Sequence, residues 1–170
     1  MDAVRNDIKV LYVVGKVAPT SVALEVAHHL EDSRVQVHVV SYYRTKYQAT
    51  GLPLSLTEIE ATGRFDLCGV WRLFQCIAEI RPDVIHIHHT VSAFWAALFG
   101  KLLGSKVVRS EHSNSQFHTP VQCGANAVSR SLSDLVLCNS KSTYLGLSGS
   151  QKRSIGNRCK VVYNGVDKER

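Results

Sequence analysis

The sequence predicts an α/β protein built as a doubly wound parallel sheet of about six strands, with helices on both faces. Short apolar runs rich in β-branched residues alternate along the 170-residue chain with longer amphipathic stretches, and the links between them are short. Such alternation implies right-handed crossovers between parallel strands. Most of the apolar runs are also nearly continuous, as expected for strands that are buried on both faces.

Six segments have the length and composition of strands. The first, IKVLYVV, is an uninterrupted run, and the second, VQVHVV, alternates before it becomes wholly apolar. The other segments are shorter and keep the same apolar character. The predicted strands cover residues 8–14, 35–40, 83–87, 106–109, 135–138 and 160–163.

Between these strands the apolar residues recur with helical spacing. Val22, Val26 and Leu30, for example, lie four residues apart and define one face of a helix. The predicted helices cover residues 21–30, 70–80, 92–103, 121–132 and 141–147. Residues 42–64 show neither the strand period nor the helix period. We therefore expect a long loop with little fixed structure, which in a compact domain is usually functional or mobile.

Composition narrows the class of protein. Hydrophobic residues make up 45% of the chain and charged residues 20%, as in globular proteins. The N-terminus shows no secretory signal, and the most apolar helical stretch, 91–100, is far shorter than the roughly 20 residues that cross a bilayer. The five cysteines are odd in number and form no CxxC pair, and Cys138 has the pattern of a small buried hydrophobe. We therefore expect a cytoplasmic protein without a disulfide framework.

The positive charge is concentrated at the C-terminal end. Residues 1–140 hold 13 basic and 12 acidic side chains, whereas residues 141–170 hold 7 and 2. A solvated surface would explain this concentration, and so would contact with phosphate or with an anionic membrane at its periphery. Nucleic acid is disfavoured, because no aromatic residue lies between Lys152 and Lys160 to stack on bases.

Candidate binding residues follow from the fold, because open parallel α/β sheets bind ligands outside the carboxyl ends of their strands. Gly15 and Lys16 follow the first strand and lead into a helix, whose free N–H groups favour an anion. This turn has no phosphate-loop motif, and a structural role fits it equally well. The turns after later strands are polar, and they supply the candidates His88, His89, Glu111, His112, Ser113 and Ser140.

The histidines among these residues also raise the question of a metal site. Their spacing matches no histidine-rich motif and no carboxylate pair completes a site, so we expect no metal ion. His86, in the middle of a strand, has the pattern of a hydrogen-bonded core histidine. His112 ends a strand beside small polar residues, where its ring can bond a sugar hydroxyl or a phosphate. A Ser-His-Asp hydrolase is disfavoured, because the chain has no GxSxG elbow.

Four segments in sequence order resemble the N-terminal domain of family 4 glycosyltransferases. PDVIHIHH at 82–89 and KVVRSEHS at 106–113, separated by an Ala-rich helix, resemble the middle of that domain. SDLVLCNS at 133–140 resembles its next strand, and KVVYNGVD at 160–167 resembles the segment that leads into its hinge. Residues 8–41 agree with that domain only in their pattern of strands and helix and not in a sequence motif.

The resemblance implies one half of a GT-B fold, in which two Rossmann-like domains face a cleft. It also implies retaining transfer from a nucleotide-sugar to a sugar or lipid-linked acceptor, without a metal ion or cofactor, and it places His112 near the transferred sugar. Residues 1–167 would form the acceptor-side domain, and residues 168–170 would begin the hinge. The sequence contains no donor-binding half, so we expect the chain to be inactive alone and to need a C-terminal domain or partner chain.

Two other functions are weighed against this enzyme. Gly15 and Lys16 stand where the family carries Gly-Gly, so the resemblance does not extend to the first turn. A non-catalytic module that binds a sugar or a partner therefore remains an alternative, and co-purification with a second Rossmann-like polypeptide would favour the enzyme. A generic nucleotide-binding domain is disfavoured, because Ser41, Tyr42 and Tyr43 stand where an acidic residue would hold a ribose.

Overall fold

The computed structural model describes residues 7–17, 22–30, 34–44, 55–88, 90–112 and 119–163, apart from the side chains at positions 22, 23, 90 and 91. The strands within these residues are β1 (Ile8–Val14), β2 (Val35–Tyr43), β3 (Ser55–Ala61), β4 (Val84–Ile87), β5 (Lys106–Glu111), β6 (Leu135–Cys138) and β7 (Cys159–Val161). The helices are α1 (Val22–Leu30), α2 (Leu67–Ile80), α3 (Thr90–Leu102), α4 (Pro120–Leu132), α5 (Lys141–Leu145) and α6 (Gly149–Ile155). A 3₁₀ turn, Gly156–Arg158, leads into β7.

The described strands form one parallel sheet in the order β3-β2-β1-β4-β5-β6-β7. From β1 the chain winds to one edge through β2 and β3, then crosses to β4 and winds to the other edge. β1 and β4 are therefore the neighbours at which the strand order reverses, which is where open α/β sheets bind ligands. The predicted fold class, a doubly wound Rossmann-like sheet, is confirmed.

The strand β3 was not predicted from the sequence. It lies in the stretch 42–64, where we expected a loop, and it brings the sheet to seven strands. The segment SLTEIEA buries Ile59 and Ala61 but exposes Glu58 and Glu60, so its mean hydropathy is low. An edge strand needs only one apolar face, and the pattern of alternation in β3 is too short and too polar to stand out. Residues 45–54 lie outside the described residues.

Helices cover both faces of the sheet, as predicted. Leu11 and Val13 of β1 pack in the larger core, which they share with buried side chains of α2 and α3. Tyr12 and Val14 lie on the other face of the same strand, where α1 covers them with residues such as Leu24. The alternation along β1 therefore divides the described core between two faces.

One glycine fixes how closely α2 approaches the unexpected strand. A Cβ atom at Gly69 would lie 2.7 Å from the Cβ of Ala61 and 3.2 Å from its Cα. Asp66 caps the same helix, since its side chain accepts a hydrogen bond from the Gly69 N–H. Gly69 thus allows the first turn of α2 to rest directly on the end of β3.

Candidate functional site

The candidate site lies at the carboxyl ends of β1, β4 and β5, where main-chain hydrogen bonds join neighbouring strand ends. The His88 N–H donates to the Val13 carbonyl (3.1 Å), and the Tyr43 N–H donates to the Gly15 carbonyl (2.9 Å). Gly15 is buried and Lys16 is exposed. The sheet therefore brings Gly15 and His88 together at the carboxyl ends of its strands, as the sequence predicted.

A row of side-chain rings runs from β1 across β4 to the carboxyl end of β5. Tyr12 contacts both His86 (centroids 4.6 Å apart) and His88 (5.4 Å), and His88 stacks on His112 at 5.3 Å with 20° between the ring planes. His86 Nε2 shares a hydrogen bond with the Ser110 hydroxyl (2.8 Å), as expected for a core histidine. His88 Nδ1 lies 3.0 Å from His112 Nε2, within hydrogen-bond distance. The outermost ring, His112, is thus supported by a half-buried neighbour, His88.

Burial keeps these histidines uncharged near neutral pH. It lowers the pKa of His86 to about 4 and the pKa of His88 to about 2, and the neighbouring histidines contribute in the same direction. Partial desolvation also lowers the pKa of His112, although the adjacent Glu111 carboxylate acts in the opposite direction. The His88–His112 contact is therefore a hydrogen bond between two neutral rings, in which one nitrogen donates and the other accepts.

This hydrogen bond restricts what each ring can offer to a ligand. His112 uses Nε2 toward His88, so Nδ1 is the nitrogen left for another partner. Among the described residues, the buried Nε2 of His88 has no hydrogen-bond partner. Buried polar atoms without a partner are uncommon in native proteins, and each of them calls for an explanation. The pair therefore combines the exposed ring of His112 with the half-buried ring of His88, whose Nε2 has no hydrogen-bond partner among the described residues.

The side chain of Glu111, another candidate, lies in a buried ionic cluster. Its Oε1 accepts hydrogen bonds from Nε of Arg109 (2.8 Å) and from Nε of Arg130 (2.7 Å). All three side chains are almost completely buried. Burial acts to raise the pKa of Glu111, but the two guanidinium groups outweigh it and hold the pKa below its usual value. The carboxylate is thus ionised and neutralises two arginines, and its role in substrate binding stays a prediction.

Sequence reasoning missed the rest of this cluster. Arg109 also donates to the Ser129 hydroxyl (2.5 Å) and to the Asn126 side-chain oxygen (2.6 Å), both on α4. Asn126, Ser129 and Arg130 recur at helical spacing on one face of α4, and all three are buried. That polar stripe on α4, together with the alternating Arg109-x-Glu111 on β5, was the sequence pattern that could have predicted the cluster. A polar stripe on a helix usually faces solvent, however, so the pattern does not by itself indicate a buried cluster.

The remaining candidates differ in how far the structure describes them. Ser140 caps α5: its hydroxyl accepts from the Thr143 N–H (3.0 Å) and contacts the Thr143 hydroxyl (3.0 Å). The Asn139 N–H donates to the Glu111 carbonyl (3.3 Å), which holds this strand end beside β5. His89 and Ser113 lie outside the described residues. Substrate contacts by any of these side chains stay predictions.

Within the described ranges, no group of three or more His, Cys, Asp or Glu side chains is arranged to hold a metal ion. Of the helices in the described part of the chain, none is long and apolar enough to cross a bilayer.

Fold and site together define a class of protein: a doubly wound α/β domain with a polar, histidine-bearing edge at the point where its strand order reverses. The chain belongs to Glycosyltransferase Family 4, whose family model matches residues 20–170. Comparison with curated proteins by sequence gives no significant match. The family predicted from the motifs at residues 82–167 is therefore confirmed.

Solved structures with the same fold agree with this assignment. UDP-GlcNAc 2-epimerase from Methanocaldococcus jannaschii matches with a TM-score of 0.69 at 14% identity, over 92% of this chain and 46% of its own. HepE from Anabaena, in complex with UDP-glucose, matches with a TM-score of 0.69 at 16% identity, over 94% and 44%. The lipopolysaccharide outer core galactosyltransferase WaaB matches with a TM-score of 0.67 at 15% identity, over 94% and 46%. The chain thus corresponds to one half of a GT-B fold and spans just under half the length of these proteins.

Proposed function

We propose that the chain forms the acceptor-side half of a retaining glycosyltransferase that uses a nucleotide-sugar donor. The observation that carries the proposal is the exposed, neutral His112, which His88 supports at the reversal point of a family 4 domain. A neutral ring held in this way can donate or accept a hydrogen bond at the transferred sugar without bringing a charge into the cleft.

Donor chemistry is proposed from the related structures. One of the solved structures with this fold holds UDP-glucose, and another is a galactosyltransferase. We infer that a nucleotide-sugar is the donor and that a second Rossmann-like domain binds most of it, since the chain corresponds to less than half of either protein. Two substrates must then be held across a cleft, and half of a cleft cannot orient both. Residues 1–170 alone should therefore transfer no sugar.

We also propose that the acceptor is a sugar or a lipid-linked sugar and that the domain works at the periphery of a membrane. Residues 141–163 contain five basic side chains and no acidic one. Lys152 Nζ lies 5.3 Å above the Tyr144 ring and donates to the Leu145 carbonyl, and Leu145 is 61% exposed. A cationic, aromatic and aliphatic group side by side suits the interface of an anionic bilayer.

The test joins the chain to a donor-binding half and follows the product. The chain is produced together with the coding sequence that continues beyond residue 170 in its genome, in the same reading frame or in the next one. Release of nucleoside diphosphate is then measured for a panel of nucleotide-sugars and acceptors. We expect turnover with at least one donor, and proton NMR of the first product should show the anomeric configuration of that donor. Turnover with inverted configuration would contradict retention. Sugar binding without turnover of any donor would favour the non-catalytic alternative, and robust transfer by residues 1–170 alone would refute the half-enzyme assignment.

A further inference from the structure

Two cysteines on neighbouring strands bring their sulfur atoms close together. Cys138 is the last residue of β6 and Cys159 is the first residue of β7, and their Sγ atoms lie 3.6 Å apart. Cys159 pairs in register with Val136, so the two cysteines stand diagonally on one face of the sheet. Leu147 and Ile155 pack around them in a small separate core. Both cysteines are free thiols, so they are in contact without a covalent bond.

We propose that Cys138 and Cys159 are a modification site, which low-molecular-weight disulfides such as oxidised glutathione convert reversibly to an intramolecular disulfide. A disulfide bond measures about 2.05 Å, so the sulfur atoms must approach by roughly 1.5 Å. The strand that has to move is β7, which is three residues long and, among the described strands, lies at the edge of the sheet and pairs only with β6. A short edge strand held on one side can make such a shift more easily than a central strand.

The two thiols differ in access, and this difference sets the order of the reaction. Cys138 is fully buried, and Cys159 is partly exposed. Burial, together with the neighbouring Cys159 thiol, raises the pKa of Cys138 to about 12, so Cys138 is a poor first nucleophile. The Cys159 thiolate therefore attacks the glutathione disulfide and releases one glutathione thiolate, which takes up a proton.

The second step forms the disulfide between Cys138 and Cys159. The Cys138 thiol loses its proton to solvent, and its sulfur attacks the Cys159 sulfur of the mixed disulfide. The bond between Cys159 and glutathione breaks, and the second glutathione leaves as a thiolate, which takes up a proton from solvent. One glutathione disulfide is reduced to two thiols while the two cysteines are oxidised, so atoms and electrons balance. The product joins β6 to β7 and encloses α5 and α6 within one covalent loop.

The test maps the disulfide in the complete 170-residue chain. The protein is equilibrated with oxidised glutathione, alkylated with N-ethylmaleimide, digested with trypsin without reduction and examined by mass spectrometry. We expect the peptide 131–141 linked to the dipeptide 159–160, and dithiothreitol should restore both thiols. Cys68 and Cys123 are exposed and should carry glutathione in the same sample, which shows that the oxidant reacted.

Matched variants separate this pair from chance oxidation. Cys138→Ser and Cys159→Ser should each abolish the linked peptide and leave the far-ultraviolet circular dichroism unchanged. In Cys138→Ser, the remaining Cys159 should retain glutathione. The proposal is overturned if Cys159 of the wild-type chain carries glutathione without linkage to Cys138. It is equally overturned if Cys138 is found joined to another cysteine, or if both thiols are alkylated although Cys68 and Cys123 are oxidised.

Discussion

His88 Nδ1 lies 3.0 Å from His112 Nε2, and the two rings stack with their centroids 5.3 Å apart. The contact joins the carboxyl end of β4 to the carboxyl end of β5. Because burial lowers the pKa of both rings, the hydrogen bond connects two neutral side chains near pH 7. The half-buried ring of His88 thus orients the exposed ring of His112 at the strand ends where the domain is proposed to meet its sugar.

The buried histidines should make the fold sensitive to acid. Folding lowers the pKa of His86 to about 4 and that of His88 to about 2. Their unfolded values lie near 6.5. Below pH 6.5 the unfolded chain therefore binds more protons than the folded chain. The contribution of these two residues to the free energy of unfolding is fully present above pH 6.5. It is lost as the pH falls toward their pKa values in the folded chain, by at most about 1.4 kcal/mol per pH unit for each histidine.

Urea unfolding between pH 7.5 and pH 5.0 measures this effect. The His86→Asn variant should show a shallower dependence of its unfolding free energy on pH than the wild-type chain. His29→Asn, at an exposed position on α1, should leave the dependence unchanged. Parallel curves for wild type and His86→Asn would show that His86 is not held neutral by the fold.

Replacing Glu111 distinguishes a structural role from a substrate contact. The Glu111→Gln variant keeps the size of the side chain but leaves Arg109 and Arg130 buried without their counter-ion. Breaking one partner of a buried ion pair costs about 3–5 kcal/mol, so we expect a large fall in Tm. Glu58→Gln, at an exposed position on β3, should melt like the wild type. An unchanged Tm for Glu111→Gln, with sugar binding lost, would instead support the substrate role predicted from the sequence.

Two glycines in helices should respond to alanine in opposite ways. At Gly69 the added Cβ would meet the backbone of Ala61, and overpacking of this kind costs about 1–3 kcal/mol. At Gly124 in α4 the added atom would meet nothing within 4 Å, so the higher helix propensity of alanine should stabilise by about 0.5–1 kcal/mol. Denaturant midpoints of the two variants test this. Equal shifts would mean that α2 does not rest on β3 as described.

Membrane contact through α5 and α6 should depend on charge. The double variant Lys152→Gln, Arg153→Gln should bind phosphatidylserine vesicles with an affinity lower by roughly tenfold or more, as measured by co-sedimentation. The reason is that each basic residue near an anionic surface contributes about 1 kcal/mol of binding free energy. Arg81→Gln with Lys106→Gln removes the same charge at the amino-terminal edge of the sheet and should change little. Equal binding by all three proteins, or binding that ignores vesicle charge, would contradict this surface.

The fold was largely predictable because its strands are continuous apolar runs. The sequence placed β1 at its observed bounds and predicted the existence of every described strand except β3, whose alternating, acid-rich segment has only one buried face. Most of the other predicted strands and helices begin or end within a few residues of their bounds in the structure. Helix α6 was also missed, since its seven residues, GSQKRSI, bury only Ile155.

The positions of the candidate residues could be predicted from the sequence, but their contacts could not. The rule that ligands bind at strand ends brought Gly15, His88 and His112 to one edge, where the structure describes them. The sequence could not show that His88 supports His112, because that depends on ring orientation across two strands. It also could not show that Glu111 neutralises two buried arginines, since one of them, Arg130, lies 19 residues away on α4.

The central claim, that His112 acts at the transferred sugar, is tested most directly by one pair of measurements on His112→Ala in the enzyme completed by its donor-binding half. An unmade hydrogen bond in a desolvated site costs about 1–3 kcal/mol, so kcat/KM should fall roughly tenfold to a hundredfold. Tm should fall much less than for a core residue, because an exposed side chain leaves no core cavity and only His88 Nδ1 loses a partner. His29→Ala serves as the exposed-histidine control and should change neither quantity. A large fall in Tm with turnover per folded molecule unchanged, or wild-type kinetics, would contradict the claim.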